Sequence, residues 1–226
     1  MTRRPLAIDL FCCAGGAGMG LWRAGYDVIG VDIMPRPRYP FPFVQADALR
    51  PPFDLRHFDL IWASPPCQKY TSMRTMHNAR EHVDLIPATR KMVRAAGVPY
   101  IIENVVGAPL ENPILLCGTM FGLGADDAEL RRERIFETSF PVLAPKCQHG
   151  LKPRVIGIYG GHVRDRRRRP GSASRGVAGF SIDQGRIAMQ IDWMTAAEMS
   201  QAIPPAYSEF LGRTALASML EERRSA

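Results

Sequence analysis

The residues best placed to do chemistry stand at the ends of short apolar runs. Cys67 lies in Ser64-Pro65-Pro66-Cys67-Gln68, directly after Leu60-Ile61-Trp62-Ala63, which reads as a buried parallel strand. Two prolines stop such a strand and set the thiol on a sharp turn at its carboxyl end, where open α/β sheets place reactive groups. A thiol so presented is a nucleophile when its surroundings lower its pKa; otherwise a cysteine is most often an inert core residue. Glu103 closes a second run, Val98-Pro99-Tyr100-Ile101-Ile102-Glu103-Asn104-Val105. A carboxylate at the same sheet edge suits a substrate ring nitrogen, or serves as a proton donor if burial raises its pKa, the bland alternative being a structural acid held by backbone amides. In Arg131-Arg132-Glu133-Arg134-Ile135-Phe136 the alternation predicts a strand with Arg132 and Arg134 on one face.

The elements that must position these groups alternate in an α/β rhythm. Leu6–Phe11 reads as a strand running into the small-residue turn Cys12-Cys13-Ala14-Gly15-Gly16-Ala17-Gly18, followed by a helix closed by Gly25. The dinucleotide fingerprint is not met, because Leu21 occupies its last glycine position counted from Gly16. Val28–Ile33 is the next strand and brings Asp32 to a sheet edge 16 residues after Gly16, roughly where such folds grip ribose hydroxyls. Asp47 follows the short Phe43-Val44 strand and could bond an adenine amino group. Lys69 to His82 reads as a loop able to touch phosphate through Arg74 or Arg80, and a helix is expected over about Val83 to Ala96. From Ser139 to Met199 the rhythm is lost and an irregular insert is expected, before a closing helix from about Thr214 to Glu222. The division is residues 1–138 as core, 139–199 as insert and 200–226 returning to the core.

Composition narrows the partners. In 226 residues, 46% hydrophobic and 23% charged, no apolar run approaches the roughly 20 residues that span a bilayer. The start Met1-Thr2-Arg3-Arg4-Pro5 leads into a strand instead of a signal core, so a cytoplasmic location is expected; a monomer is expected separately. Five irregularly spaced cysteines argue against a disulfide framework and fit a reducing compartment. Cys147-Gln148-His149 could begin a metal site, but no second Cys/His pair follows at ligand spacing, so no metal is expected; Cys117, in apolar company, reads as core. Net charge is +7, and Leu151–Gly176 alone holds eight basic residues, Lys152, Arg154, Arg164, Arg166, Arg167, Arg168, Arg169 and Arg175, against Asp165. The whole excess sits in that segment, the footprint of a polyanion partner, although a solvated arginine loop has the same composition.

Taken in order, Asp9-Leu10-Phe11 with the glycine turn, Gly30-Val31-Asp32, Ser64-Pro65-Pro66-Cys67-Gln68, Glu103-Asn104-Val105, Arg132-Glu133-Arg134 and Gln201-Ala202-Ile203-Pro204-Pro205-Ala206-Tyr207 resemble the DNA cytosine-5 methyltransferase family, especially its short phage and prophage members. The resemblance covers nearly everything except the basic insert. It implies a Rossmann-like α/β fold for binding S-adenosylmethionine, with a mostly parallel sheet, helices on both faces, and the insert serving target recognition. It further implies Cys67 as the nucleophile toward cytosine carbon 6, Glu103 holding a proton at ring nitrogen 3, and Arg132 and Arg134 orienting the base and favouring the thiolate. Phe11, Ala14, Gly15 and Gly16 would lie along the methionine moiety, Asp32 on the ribose, Ile33 and Asp47 at the adenine and Pro66 beneath it. Arg164 and Arg166 to Arg169 would contact double-stranded DNA. Three positions depart from the family pattern: Cys13 in place of the turn's first glycine, Leu130 in place of a common glutamine, and Pro204-Pro205 in place of Gly-Asn. A tRNA methyltransferase and a catalytically silent nucleic-acid binder are the alternatives; the broken fingerprint disfavours a nicotinamide oxidoreductase.

Overall fold

The computed structural model describes residues 3–70, 83–160, 162–165 and 177–225. In chain order the first half carries β1 (Leu6–Leu10), α1 (Gly16–Ala24), β2 (Asp27–Asp32), β3 (Phe43–Gln45), β4 (Leu60–Ala63), α2 (Ile86–Ala96) and β5 (Tyr100–Asn104). The second half carries β6 (Ile114–Leu116), β7 (Gly124–Ala125), β8 (Ala128–Leu130), β9 (Arg134–Thr138), β10 (Arg154–Tyr159), β11 (His162–Asp165), β12 (Val177–Ala178), α3 (Ile182–Met189), α4 (Ala196–Gln201) and α5 (Pro205–Ser225). The main sheet has the order β3-β2-β1-β4-β5-β9-β6; its first five strands are parallel, and β9 runs antiparallel to both of its neighbours. The fold class is thus the α/β sheet with helices on both faces that the alternating rhythm predicts.

Strand β4 shows why its sequence is apolar throughout. Leu60 and Trp62 pack on one face with Leu21, Tyr207, Leu211 and Phe136, while Ile61 and Ala63 pack on the other with Ile86 and Val93 of α2. A strand buried on both faces has no solvent side to supply alternation. Each large side chain so withdrawn contributes roughly 1.5–3 kcal/mol, and Trp62 meets Phe136 edge-on at 5.8 Å.

Several boundaries move for local reasons. Helix α1 ends where expected, at Gly25, whose φ of 111° suits glycine. Helix α2 starts only at Ile86, because Pro87 fits the first turn, where its missing N–H costs nothing. Helix α5 starts much earlier than the expected Thr214, with Pro205 as its first residue. Strand β9 begins at Arg134, after Arg132 has taken a φ of 37°, so the two arginines do not share a strand face as expected.

The stretch expected to be irregular is built otherwise. Strands β10, β11 and β12 join β8 and β7 in a second sheet of order β12-β11-β10-β8-β7. Two strands that precede residue 139 therefore share a sheet with three that follow it, through the pairing of β8 with β10. Helices α3 and α4 lie against this sheet, each opened by a reciprocal cap, Ser181 with Gln184 and Thr195 with Glu198. Among the described residues no helix is long and apolar enough to cross a membrane.

Candidate active site

The strand order reverses between β1 and β4, and loops leaving neighbouring strands diverge there to leave a crevice. A cleft of about 380 Å³ occupies that place. Phe11, Cys13 and Gly16 reach it from the turn after β1, Asp32, Ile33 and Arg36 from β2, and Pro65, Pro66 and Cys67 from the turn after β4. Glu103 enters from the end of β5, Arg134 from β9, and Ala202 and Ile203 form a wall from the far end of the chain. Cys67, Glu103 and Arg134, distant in sequence, thus share one cavity.

Their charges compete for one cation. Glu103 is buried, and Arg134 Nε stands 3.3 Å from its carboxylate. Burial raises the Glu103 pKa, against the pull of Arg134 and a hydrogen bond from the Ser64 hydroxyl, which itself accepts from Trp62 Nε1 at 2.9 Å. The Cys67 thiol is also pushed up, by burial first and the Glu103 charge second, with Arg134 and Arg132 acting in the opposite direction. The arginines favour the thiolate in sign, as expected, but burial and Glu103 outweigh them. At neutral pH the group is a thiol awaiting a partner.

Arg132 occupies a different role from the expected one. It is 2% exposed, lies outside the cleft lining and donates to four backbone carbonyls: Ile158 at 2.9 Å, Met199 at 3.2 Å, Ser200 at 2.8 Å and Ala202 at 2.8 Å. Three of these belong to the end of α4 and the residues just beyond, so the guanidinium sits where a helix terminus concentrates negative potential. Burial lowers its pKa to about 10, leaving it charged at neutral pH. It clamps the second sheet and α4 to the start of β9, and it acts on the cleft through its charge and through the Ser200 and Ala202 carbonyls it holds in the wall.

Two positioning residues escape the reading of residue types. Asn104 Nδ2 donates to the Pro65 carbonyl at 2.9 Å, while its Oδ1 accepts from Val105 N at 2.9 Å; this fixes the thiol turn against the strand that carries Glu103. Tyr207, fully buried, donates through its hydroxyl toward the carbonyls of Arg131 and Arg132 at 3.1 and 3.0 Å. It holds the strained peptide at Arg132 in place. Both lie inside the quoted motifs, but only tertiary contacts reveal what they hold.

On the other side of the cleft, the turn after β1 is unusually bent for its residues. Phe11 and Cys13 take φ of 59° and 46°, a left-handed backbone that glycine would adopt without cost. Gly16 is required by packing, since a Cβ there would stand 2.5 Å from the Ile203 carbonyl. Ala14 and Gly15 do not line the cleft as expected; they form the back of the turn, with the Ala14 carbonyl accepting from Trp193 Nε1 at 2.8 Å. Asp32 already accepts from Cys13 N at 3.0 Å, Met34 N at 2.9 Å and Arg36 at 3.1 Å, which leaves about one of its four acceptor sites. Ile33 is 65% exposed and apolar at the cleft mouth, and Asp47 faces the cleft while capping its own turn through Leu49 N.

Asp9 is a further cleft residue whose state stands out. It is fully buried, Tyr39 donates to its Oδ2 at 3.1 Å, and its Oδ1 accepts no hydrogen bond among the described residues. Burial lifts its pKa to about 7. An unsatisfied carboxylate oxygen in a glycine-lined crevice fits a ligand that carries positive charge.

Of the arginines expected to meet nucleic acid, Arg164 lies on β11 opposite Gly157. Arg74, Arg80, Arg166, Arg167, Arg168 and Arg169 lie outside the described residues. Cys117 is buried as expected, but its sulfur faces His149 and Thr119 instead of apolar neighbours only.

No family model matches the sequence, and no curated protein matches it. Among solved structures, the chain is similar to the Dnmt2 methyltransferase of S. pombe, with a TM-score of 0.60 at 13% identity over 96% of this chain and 99% of that one. A Burkholderia thailandensis 1,6-didemethyltoxoflavin-N1-methyltransferase with bound S-adenosylhomocysteine overlaps half of this chain at 15% identity with a TM-score of 0.34, too little to bear on the argument. At such identity the likeness concerns architecture, and what it establishes is that the chain shares its overall fold with that methyltransferase structure.

Proposed function

We propose that the protein transfers a methyl group from S-adenosylmethionine to carbon 5 of cytosine in double-stranded DNA through a covalent bond to Cys67. The observation that carries this reading is the meeting of Cys67, Glu103 and Arg134 in one cleft whose opposite wall is the glycine turn with the unsatisfied Asp9 oxygen. Phe11, Gly16, Asp32, Ile33, Asp47 and Pro66 are the residues that would hold the cofactor, which supplies an electrophilic methyl group.

Cytosine carbon 5 is a poor nucleophile. Addition of the Cys67 sulfur to carbon 6 makes an enamine of the ring and gives carbon 5 the electron pair it needs. Glu103, whose pKa burial raises, holds a proton at ring nitrogen 3 once the base is bound and so offsets the negative charge that addition creates. Arg134 keeps Glu103 aimed and supports the thiolate as its proton leaves. After methyl transfer the proton on carbon 5 departs to a base, the carbon–sulfur bond breaks, and the thiol is restored. A base inside a duplex must swing out to reach this cleft, at a cost of a few kcal/mol repaid by contacts in the pocket. The basic segment between Leu151 and Gly176 supports a polyanion as the partner.

The test is transfer of labelled methyl to duplex DNA and, separately, to tRNA, with the Cys67→Ser protein as control. Label recovered as 5-methylcytosine in DNA, lost in the control, supports the proposal; labelling of tRNA alone moves the substrate to RNA. Binding of either polymer with no transfer, and no adduct on DNA containing 5-fluorocytosine, would overturn the catalytic reading.

A further inference from the structure

Outside the cleft, three side chains from two distant segments converge on a single point. Cys117 follows β6 and is buried; Cys147 and His149 lie in the connection from β9 to β10 and are exposed. His149 Nε2 stands 3.2 Å from Cys117 Sγ, 32 positions earlier, and 3.1 Å from Cys147 Sγ. All three atoms lie within 4.8 Å of one another. Glu133 Oε1 is 3.6 Å from the same Nε2, and Thr119 Oγ1 is 3.2 and 3.4 Å from the two sulfurs.

Hydrogen bonds link these groups only pairwise: a neutral imidazole nitrogen offers either one proton or one lone pair and serves one thiol, while the Thr119 hydroxyl lies near both sulfurs. A cation at the centre engages both sulfurs and the nitrogen at once. In a tetrahedral zinc site with bonds of about 2.3 Å to sulfur and 2.0–2.1 Å to nitrogen, neighbouring sulfur and nitrogen atoms stand about 3.5 Å apart. The observed separations are close to that. Two soft thiolates and an imidazole favour zinc over magnesium or calcium.

We propose that Cys117, Cys147 and His149 bind one Zn²⁺ ion, with a water molecule as fourth ligand. On binding, each thiol releases its proton to solvent as its sulfur bonds the metal, and the imidazole donates its Nε2 lone pair while keeping the proton on Nδ1. Thr119 Oγ1 is placed to donate to a thiolate, which holds the sulfur's orientation. The chain just beyond the site is already anchored, because Gly150 N donates to both oxygens of the buried Glu129 at 3.1 and 3.0 Å. The ion pins the connection between the two sheets to the turn after β6. Its role is structural, and it stands independently of what the cleft transfers.

The experiment uses the full chain carrying Cys67→Ser, so that the cleft thiol and any methyl transfer are out of play. Reduced protein is exposed to Zn²⁺, freed of excess and analysed for metal, and a parallel sample takes Co²⁺. The expected result is one zinc per chain, a thiolate-to-cobalt charge-transfer band, and a melting temperature that falls on strong chelation and recovers with zinc. The band should disappear in Cys147→Ser and His149→Ala, both exposed positions whose far-ultraviolet circular dichroism reports that the fold survives. A chain that retains no stoichiometric zinc and shows no cobalt–thiolate band would overturn the proposal, as would a Cys117–Cys147 disulfide whose melting temperature ignores chelator and zinc.

Discussion

Cys67 and Glu103 are two acids in one cleft, and the Glu103 charge makes the thiol harder to ionise. Burial and the Glu103 charge raise the thiol pKa above its ordinary value of 9.0, so at pH 7 about one molecule in a hundred or fewer carries a thiolate. Alkylation of Cys67 by iodoacetamide should then speed up about tenfold per pH unit between pH 6.5 and 8.5, as read by mass spectrometry. Glu103→Gln should separate reactivity from catalysis. Removing the adverse charge raises the alkylation rate at pH 8 several-fold, while methyl transfer falls by about a hundredfold or more for want of the proton at ring nitrogen 3. Slower alkylation in that variant would mean that Glu103 does not act on the thiol. Asp9 gives a stability prediction of definite sign. Its folded pKa of about 7 lies above the ordinary 3.8, so the folded state holds the proton more firmly; the stabilisation is complete below pH 3.8 and is lost as pH rises through 7. Thermal melts of the ligand-free protein should show that fall, on the order of a few kcal/mol, and Asp9→Asn should flatten it. At this scale a residue's place was legible in the sequence where its strand end fixes it, as for Cys67 and Glu103, which meet in one cleft. It was not legible for Arg132, because an arginine two places from another reads as its partner until the four carbonyls around it are seen.

Helices α1 and α5 meet more closely than side chains ordinarily permit, and glycine makes the contact possible. A Cβ at Gly20 would come within 2.1 Å of the Pro205 carbonyl and the Ser208 hydroxyl, and one at Gly212 within 3.0 Å of Ala24. Gly20→Ala must push the start of α5 away, at an expected cost of about 1–3 kcal/mol in chemical denaturation. Gly16→Ala meets the Ile203 carbonyl instead, so it should shift the cleft wall and raise the KM for S-adenosylmethionine more than it lowers kcat. Among the elements, α1 was predictable because glycine turns bracket it. Strands β7 and β8 were not, since runs of two and three residues carry no period and are made strands by pairing with each other and, for β8, with β10 across a long separation. The starts of α3 and α4 are written in Ser181-Ile182-Asp183-Gln184 and Thr195-Ala196-Ala197-Glu198, capping patterns that the surrounding glycines and arginines obscure.

At the scale of the molecule, two sheets share the short span between β8 and β9, and Arg132 is the joint. Arg132→Met would leave the carbonyls of Ile158, Met199, Ser200 and Ala202 without this partner in a buried site. The expected outcome is a loss of several kcal/mol, with activity lost at temperatures where the wild type is still folded; an unchanged melting temperature would remove Arg132 from this role. The α/β class was legible because apolar strands and glycine turns recur in order. The pairing of 124–130 with 154–178 was not, because nothing local records which distant edge a short strand will find. The same joint has a consequence for synthesis. The thiol turn, Glu103 and the glycine turn all precede Asn104 in the chain, yet the cleft lacks its Ala202-Ile203 wall, and Arg132 and Tyr207 lack each other, until the ribosome has passed Tyr207. A nascent chain that has only reached Asn104 holds the thiol turn and Glu103 without Arg134 and without this wall, so the cleft is completed only as the last helix is made.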